Sequence, residues 1–271
     1  MLKTIRKYQF RIFKLLKPYL HRQPYVFFLN LISEKGTTFC YSNKKYFGIE
    51  SGRTHYFLHS RGLRYTRGFN LLANKISQSY NIDMIKISES DFVIDVGANN
   101  GDLLLFLPNC EYVGFEPSTA EFDVLYLNCA GKGEARNQAV GGFTGHTKFY
   151  ISSEGANSSV YEPLIVESVA EIEQIKLDDF ISKPVKLLKI EAEGAELEVL
   201  LGAKKSLPNI EYIAVDASFE KGKDLLSPAV DIINYLYHEN FELIALGRKE
   251  RYLFKNRRTN LLPKNLITSE L

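Results

Sequence analysis

Asp95, Gly97, Asn99 and Gly101 fall within the seven residues Asp95-Val-Gly-Ala-Asn-Asn-Gly101, directly after the apolar run Phe92-Val93-Ile94. A strand that runs into a tight glycine turn and then a helix start brings free backbone N–H groups against a ligand. A second apolar run, Tyr112-Val-Gly-Phe115, ends in Glu116. An acid about twenty residues after the first strand end accepts hydrogen bonds from ribose hydroxyls in doubly wound folds. The loop is spaced G-x-x-x-G, whereas G-x-G-x-x-G is the spacing that seats a pyrophosphate. A cofactor with a ribose and no pyrophosphate fits that difference, and S-adenosylmethionine is the one expected.

Open parallel sheets bind ligands outside the carboxyl ends of their strands, so the polar residues ending the later apolar runs join the set. Asn137 is placed to hydrogen-bond an adenine edge, and Glu191, Glu193 and Asp216 close the next two runs. Transfer of a methyl group to a hydroxyl is an in-line displacement that needs exclusion of water and a base for the departing proton. Glu191, Glu193 and Asp216 are the candidates, since neighbouring acids raise one another's proton affinity. The same acids are also a candidate set for Mg²⁺, which would lower the hydroxyl pKa. The sequence leaves the choice between base and metal open. Arg64 and Arg67 are candidates for a carboxylate of cofactor or substrate. Among the five histidines none has metal-ligand spacing, and only His146 keeps a candidate catalytic place.

The elements that must position these residues alternate. Strands are expected near 92–96, 112–116, 134–138, 187–192, 211–216, 241–246 and 251–255. Helical patterns fall near 64–80, 102–107, 119–129, 195–206 and 227–239. This alternation predicts an α/β fold with a mostly parallel seven-stranded sheet and helices on both faces. The runs Phe241–Leu246 and Arg251–Phe254 predict a closing antiparallel hairpin. Residues 141–173 break the pattern and are expected to form a lid, a substrate wall or a plain surface hairpin. Residues from Tyr25 to Ser60 read as short aromatic strands or irregular structure.

Composition is that of an ordinary globular chain: 271 residues, 45% hydrophobic, 24% charged, net charge +2. Three widely spaced cysteines fit a reducing cytoplasm better than a disulfide scaffold. No apolar run approaches the ~20 residues of a membrane span. Residues 1–22 carry seven bases and no acid, with an apolar face at helical spacing. They predict a basic amphipathic helix that docks on the domain, on a second copy of the chain, or on an anionic inner-membrane surface. The expected organisation is an N-terminal extension over 1–62, a cofactor-binding domain over 63–258 and a tail over 259–271.

The motifs Asp95–Gly101, Gly114-Phe-Glu-Pro117 and Lys189-Ile-Glu-Ala-Glu-Gly-Ala-Glu196 together resemble the FkbM-type methyltransferases, from about Arg64 to Asn256. The third motif is the most specific. The resemblance implies a Rossmann-like class I methyltransferase fold, S-adenosylmethionine as cofactor, and O-methylation of a saccharide or other small metabolite. Many members carry Asp where this chain has Glu191, and that change of reach leaves the separate roles of Glu191 and Glu193 open. A nucleic-acid acceptor is not expected, because the core lacks a basic stripe with interleaved aromatics. The alternative function is a non-catalytic S-adenosylmethionine-binding module on the same fold.

Overall fold

The computed structural model describes residues 15–34, 36–152 and 158–260. Seven strands form the main sheet: β4 (Phe92–Val96), β5 (Glu111–Phe115), β6 (Glu134–Arg136), β10 (Val185–Ile190), β11 (Ile210–Asp216), β12 (Phe241–Leu246) and β13 (Arg251–Asn256). Their order is β12-β13-β11-β10-β4-β5-β6, and only β13 runs antiparallel to its neighbours. The mostly parallel sheet and its closing hairpin agree with the sequence expectation. Every residue of β4 is buried, which explains why its sequence reads as a continuous apolar run rather than an alternating one. Ile94, Val96, Phe115 and Leu188 enter one core, while Val93, Tyr112 and Leu187 enter the core on the opposite face.

Helices α3 (Thr119–Cys129), α4 (Glu196–Leu201) and α5 (Ala229–His238) connect the strands. The helix start after Gly101 is a 3-10 turn over Asp102–Leu105, and α4 is shorter than the helical pattern over 195–206. The chain leaves β4 toward β5 and β6, then returns to place β10 on the other side of β4. Between β4 and β10 lies the crevice where such sheets take ligands.

Residues 139–151 and 168–175 form a second sheet of β7 (Ala139–Val140), β8 (Gly145–Ile151) and β9 (Ser168–Ile175), in the order β7-β9-β8. β8 and β9 pair antiparallel over seven residues, so the stretch that breaks the alternation is largely a hairpin. His146 sits exposed on it and does not line the cavity described below.

The N-terminal segment departs from its expectation. Arg22–Ile32 is a helix, α1, not strand or irregular chain. Its aromatic and β-branched residues favour strands locally, but Tyr25, Val26, Leu29 and Ile32 share a buried face at helical spacing, and that packing outweighs propensity. Asn30 completes the arrangement, donating to the Phe39 carbonyl at 2.9 Å and accepting from the Phe39 N–H at 2.7 Å. α1 covers a three-stranded antiparallel sheet of β1 (Thr37–Ser42), β2 (Lys45–Glu50) and β3 (Arg53–Phe57), followed by α2 (Phe69–Ser79). The expected basic helix over 1–22 lies mostly outside the described residues; within them Lys17–Tyr19 is a single 3-10 turn. No helix among the described residues is long and apolar enough to cross a membrane.

Candidate active site

The carboxyl ends of β4, β5 and β10 open into a cavity of about 1000 Å³, walled by α2, the Gly97–Asp102 loop, β7, β8 and the turn after β10. Sheet register sets its charged floor. Asp95 and Lys189 are Cα partners across β4 and β10, so their side chains leave on the same face and the Lys189 ammonium lies 3.0 Å from Asp95 Oδ1. Tyr112 donates to Asp95 Oδ2 at 3.0 Å. Lys189 also donates to the Gly97 carbonyl at 3.0 Å and pairs with Glu191 at 3.2 Å. A lysine in the interior of an apolar strand needs such counter-charges. Asp95 thus holds the lysine that fastens the glycine loop.

Gly97 has φ +70°, and a Cβ there would lie 1.7 Å from the Glu191 carbonyl oxygen. Only glycine lets the loop cross β10 this closely. Gly101 has φ +76° and abuts Leu125 of α3; it shapes the turn but does not line the cavity. Asn99 does line it, and its backbone N–H donates to Glu116 Oε2 at 2.8 Å. Glu116 Oε1 accepts from the Ser118 N–H at 2.9 Å. Burial pushes the Glu116 carboxyl up to about 7 in spite of these two donors. Each oxygen keeps a further lone pair, as a ribose diol requires.

Asn137 is placed differently from its expectation. Its amide donates to the Glu116 and Pro117 carbonyls at 2.9 and 3.0 Å, tying β6 to β5, and it does not line the cavity. The next residue, Gln138, does. Its Nε2 donates to Glu173, and its Oε1 is buried with no hydrogen-bond partner.

The three candidate bases separate. For Glu191, burial alone would raise the carboxyl, but Lys189 and the Arg251 guanidinium at 3.1 Å outweigh it and hold the pKa at about 2. A carboxylate held that low is a weak proton acceptor. Asp216 lies outside the cavity wall, pairing with Arg251 Nε at 2.7 Å and accepting from the Ser218 N–H at 3.0 Å. Asp216 and Arg251 are Cα partners across β11 and β13, so antiparallel register builds this pair as parallel register builds Asp95–Lys189. Glu193 lines the cavity at the turn after β10, where Glu193 and Gly194 both have positive φ. A Cβ on Gly194 would meet Lys221 Cα at 2.5 Å. Burial, then the charges of Glu220 and Glu191, push the Glu193 carboxyl well above the usual range, and Glu220 is raised as well. Glu196 is structural: it accepts from the Ala192 and Gly194 N–H groups at 2.8 and 3.1 Å and closes the turn.

Among the described residues no group of three or more His, Cys, Asp or Glu side chains is arranged to hold a metal ion. The Mg²⁺ expectation therefore finds no ligand set there, and Glu191 and Asp216 already face cations that compete with one.

The N-terminal unit reaches the same loop. Asp102 accepts from Tyr65 at 2.6 Å, lies 3.0 Å from His55 Nε2 and pairs with Arg64 at 3.1 Å. Asn128 donates to the Asn100 and Tyr56 carbonyls at 2.7 and 3.0 Å. Arg64 lines the cavity, as do Arg61, Arg67 and Lys75. Sequence reading missed Lys189, Gln138, Glu220, Arg251 and this Asp102 cluster. The lysine inside the apolar run Val185-Lys-Leu-Leu-Lys-Ile190 was the one local signal available.

Comparison with solved structures gives partial likenesses. An FkbM methyltransferase from Methylobacillus flagellatus is 17% identical over 73% of this chain and 52% of that one, with a TM-score of 0.47; this chain thus spans about half its length. TrmK from M. capricolum, solved with S-adenosyl-homocysteine, is 10% identical over 69% and 65% of the two chains, with a TM-score of 0.36. A ribosomal protein L11 methylase from Lactobacillus delbrueckii is 13% identical over 69% and 78%, with a TM-score of 0.38. No curated protein matches the chain. The family model of the methyltransferase FkbM domain matches residues 95–243, more than half of the 271, and the chain belongs to that family.

Proposed function

We propose that this chain is an S-adenosylmethionine-dependent methyltransferase that transfers the methyl group to a hydroxyl of a saccharide or other small metabolite. The observation that carries the reading is one cavity with two chemistries along its wall. Glu116 offers a carboxylate for a ribose diol, and Glu193 offers a carboxyl of raised proton affinity. When bound, the cofactor supplies a methyl group on a sulfonium. Held beside Glu116 and the Asn99 loop, it would give that methyl group to the acceptor oxygen, with the C–S bond pair staying on sulfur. The chain's own part is to hold the two ligands in line, exclude water and take the hydroxyl proton. Burial and the charge of Glu220 raise the Glu193 carboxyl, so the two acids share their titration. As Glu193 takes the acceptor's proton, it passes its own to Glu220. Glu191, held ionised by Lys189 and Arg251, keeps the floor of the site electrically balanced.

The test is calorimetric titration with S-adenosylhomocysteine, followed by tritiated methyl transfer to a panel of saccharides and hydroxylated metabolites. Wild type binds, Glu116→Ala binds at least ~10-fold more weakly, and Glu193→Gln binds normally but loses at least ~100-fold in transfer. Absence of binding to wild type sinks the cofactor assignment. Tight binding without transfer to any acceptor favours a non-catalytic binding module.

A further inference from the structure

The cavity holds both engaged and unengaged charges. Of the acids that line it, Asp95 is engaged by Lys189, Asp102 by Arg64 and His55, and Glu191 by Lys189 and Arg251, while Glu116, Glu121 and Glu193 have no cation at ion-pair distance among the described residues. Its outer wall carries Arg61, Arg67, Lys75, Arg248 and Lys249, of which all but the half-buried Arg61 are exposed. Arg67 makes a 3.5 Å contact with Glu34, but Arg61, Lys75, Arg248 and Lys249 have no carboxylate at ion-pair distance among the described residues. These cations come from three separated parts of the chain. The fold draws two of the parts together: the turn between β12 and β13 abuts the end of α2, where Arg251 meets Ser79 Oγ at 3.1 Å and Gly247 packs on the Ser79 carbonyl. Lys75 lies one turn before Ser79. The whole chain carries a net charge of only +2, so a cationic rim here is local concentration rather than overall excess. The cavity's volume of about 1000 Å³ stands at the top of the range for small-molecule sites and leaves room for a second ligand beside a nucleoside.

We infer that the acceptor carries an anionic group, a phosphate, sulfate or carboxylate, seated on Arg61, Lys75, Arg248 and Lys249 at the rim of the cavity. The inference rests on the methyltransferase reading proposed above and narrows its substrate class. Unpaired cations around a low-dielectric cleft concentrate anions at its mouth, and arginine forks hold phosphate or carboxylate in a fixed orientation. An acceptor fixed by its charge at the rim extends its neutral hydroxyl inward toward Glu193.

The experiment titrates the full chain, saturated with S-adenosylhomocysteine, with hexose 6-phosphate, hexose 6-sulfate, hexuronate and the neutral hexose. At least one anion binds ten or more times more tightly than the hexose (about 1.4 kcal/mol), and which one it is identifies the group. That advantage falls roughly fivefold as salt rises from about 50 to 300 mM. The double variant K75E/R248E loses the advantage but binds S-adenosylhomocysteine within about twofold of wild type, which shows that it is folded. Equal binding of the neutral hexose, binding of no anion, or an unchanged advantage in the variant overturns the inference. So does a single-stranded RNA oligonucleotide that displaces the best anion at equal phosphate concentration. If S-adenosylhomocysteine itself does not bind, the methyltransferase reading fails, while the anion titration without it still reports on the rim.

Discussion

If Glu116 holds the cofactor ribose as proposed, its charge state and its ligand are coupled. Burial lifts its carboxyl to about 7, so near neutrality the free protein holds it partly protonated. Ribose hydroxyls donate to the carboxylate form, and binding therefore drives the proton off. The sign follows: below about 7 the proton must be released at a cost, so affinity for S-adenosylhomocysteine rises with pH. The slope approaches tenfold per unit below about 6 and levels off above about 8. Titrations in buffers of different ionisation enthalpy read the released proton directly, and Glu116→Gln flattens the profile. A flat wild-type profile would show that this carboxyl does not touch the ribose. Such an acid was legible in the sequence because it ends an apolar run. Its neighbours were less so. Asn137 and Gln138 point to opposite sides of an extended chain, and a one-residue offset chose the wrong amide. Glu191 and Asp216 also end apolar runs, yet Arg251, 60 and 35 residues away, engages both. No local pattern announces that pairing.

Between elements, the coupling that matters joins the N-terminal sheet to the glycine loop. Asp102 begins the 3-10 turn after Gly101 and receives Tyr65, His55 and Arg64 from the unit that precedes the main sheet. Burial would raise its carboxyl, but the His55 hydrogen bond and the Arg64 charge outweigh that and hold it at about 2. An acid depressed in the folded state contributes stability that is full above its unfolded pKa of about 4 and is lost as pH falls through about 2. Asp102→Asn therefore lowers unfolding free energy by about 2 kcal/mol at pH 7, and the gap to wild type closes as pH falls from about 4 to 2. Urea titrations at several pH values check both the size and the window. A deficit that persists unchanged at pH 2 would assign the loss to packing instead of charge. β4, β5, β10, β11 and β13 were legible because each buries a near-continuous apolar run. α1 was not, because its Tyr, Val and Phe residues favour a strand until the β1–β3 sheet offers them a face. The hairpin of β8 and β9 stood in the sequence only as one of three readings, because its composition is mixed: four of the eight residues of β9 are exposed.

At the scale of the molecule, three cores meet without a seam. The two faces of the main sheet are filled by separate clusters because successive residues of β4, β5 and β10 point to opposite sides. The third core lies between α1, the N-terminal sheet and α2, and it includes Leu105 of the turn after the glycine loop. Ile76 and Phe106 pack against both this core and the adjoining face of the main sheet. Polar ties reinforce the apolar ones: Asn128 of α3 exchanges hydrogen bonds with Tyr56 of β3 across 72 residues, and Lys45 of β2 pairs with Asp123 of α3 at 3.2 Å. Units that share side chains and buried hydrogen bonds open together. In native-state hydrogen exchange, the amides of β1–β3 are thus expected to open with the same free energy as those of β4 and β10, within about 1 kcal/mol. S-adenosylhomocysteine at about 100 times its Kd is expected to raise both sets by about 2.7 kcal/mol. Exchange of β1–β3 through a cheaper opening that the ligand does not affect would mean that the N-terminal sheet is an independent appendage. In that case the Asp102 cluster would not transmit loop order, and the cavity wall formed by Arg61, Arg64 and Arg67 would have to assemble separately from the cofactor site.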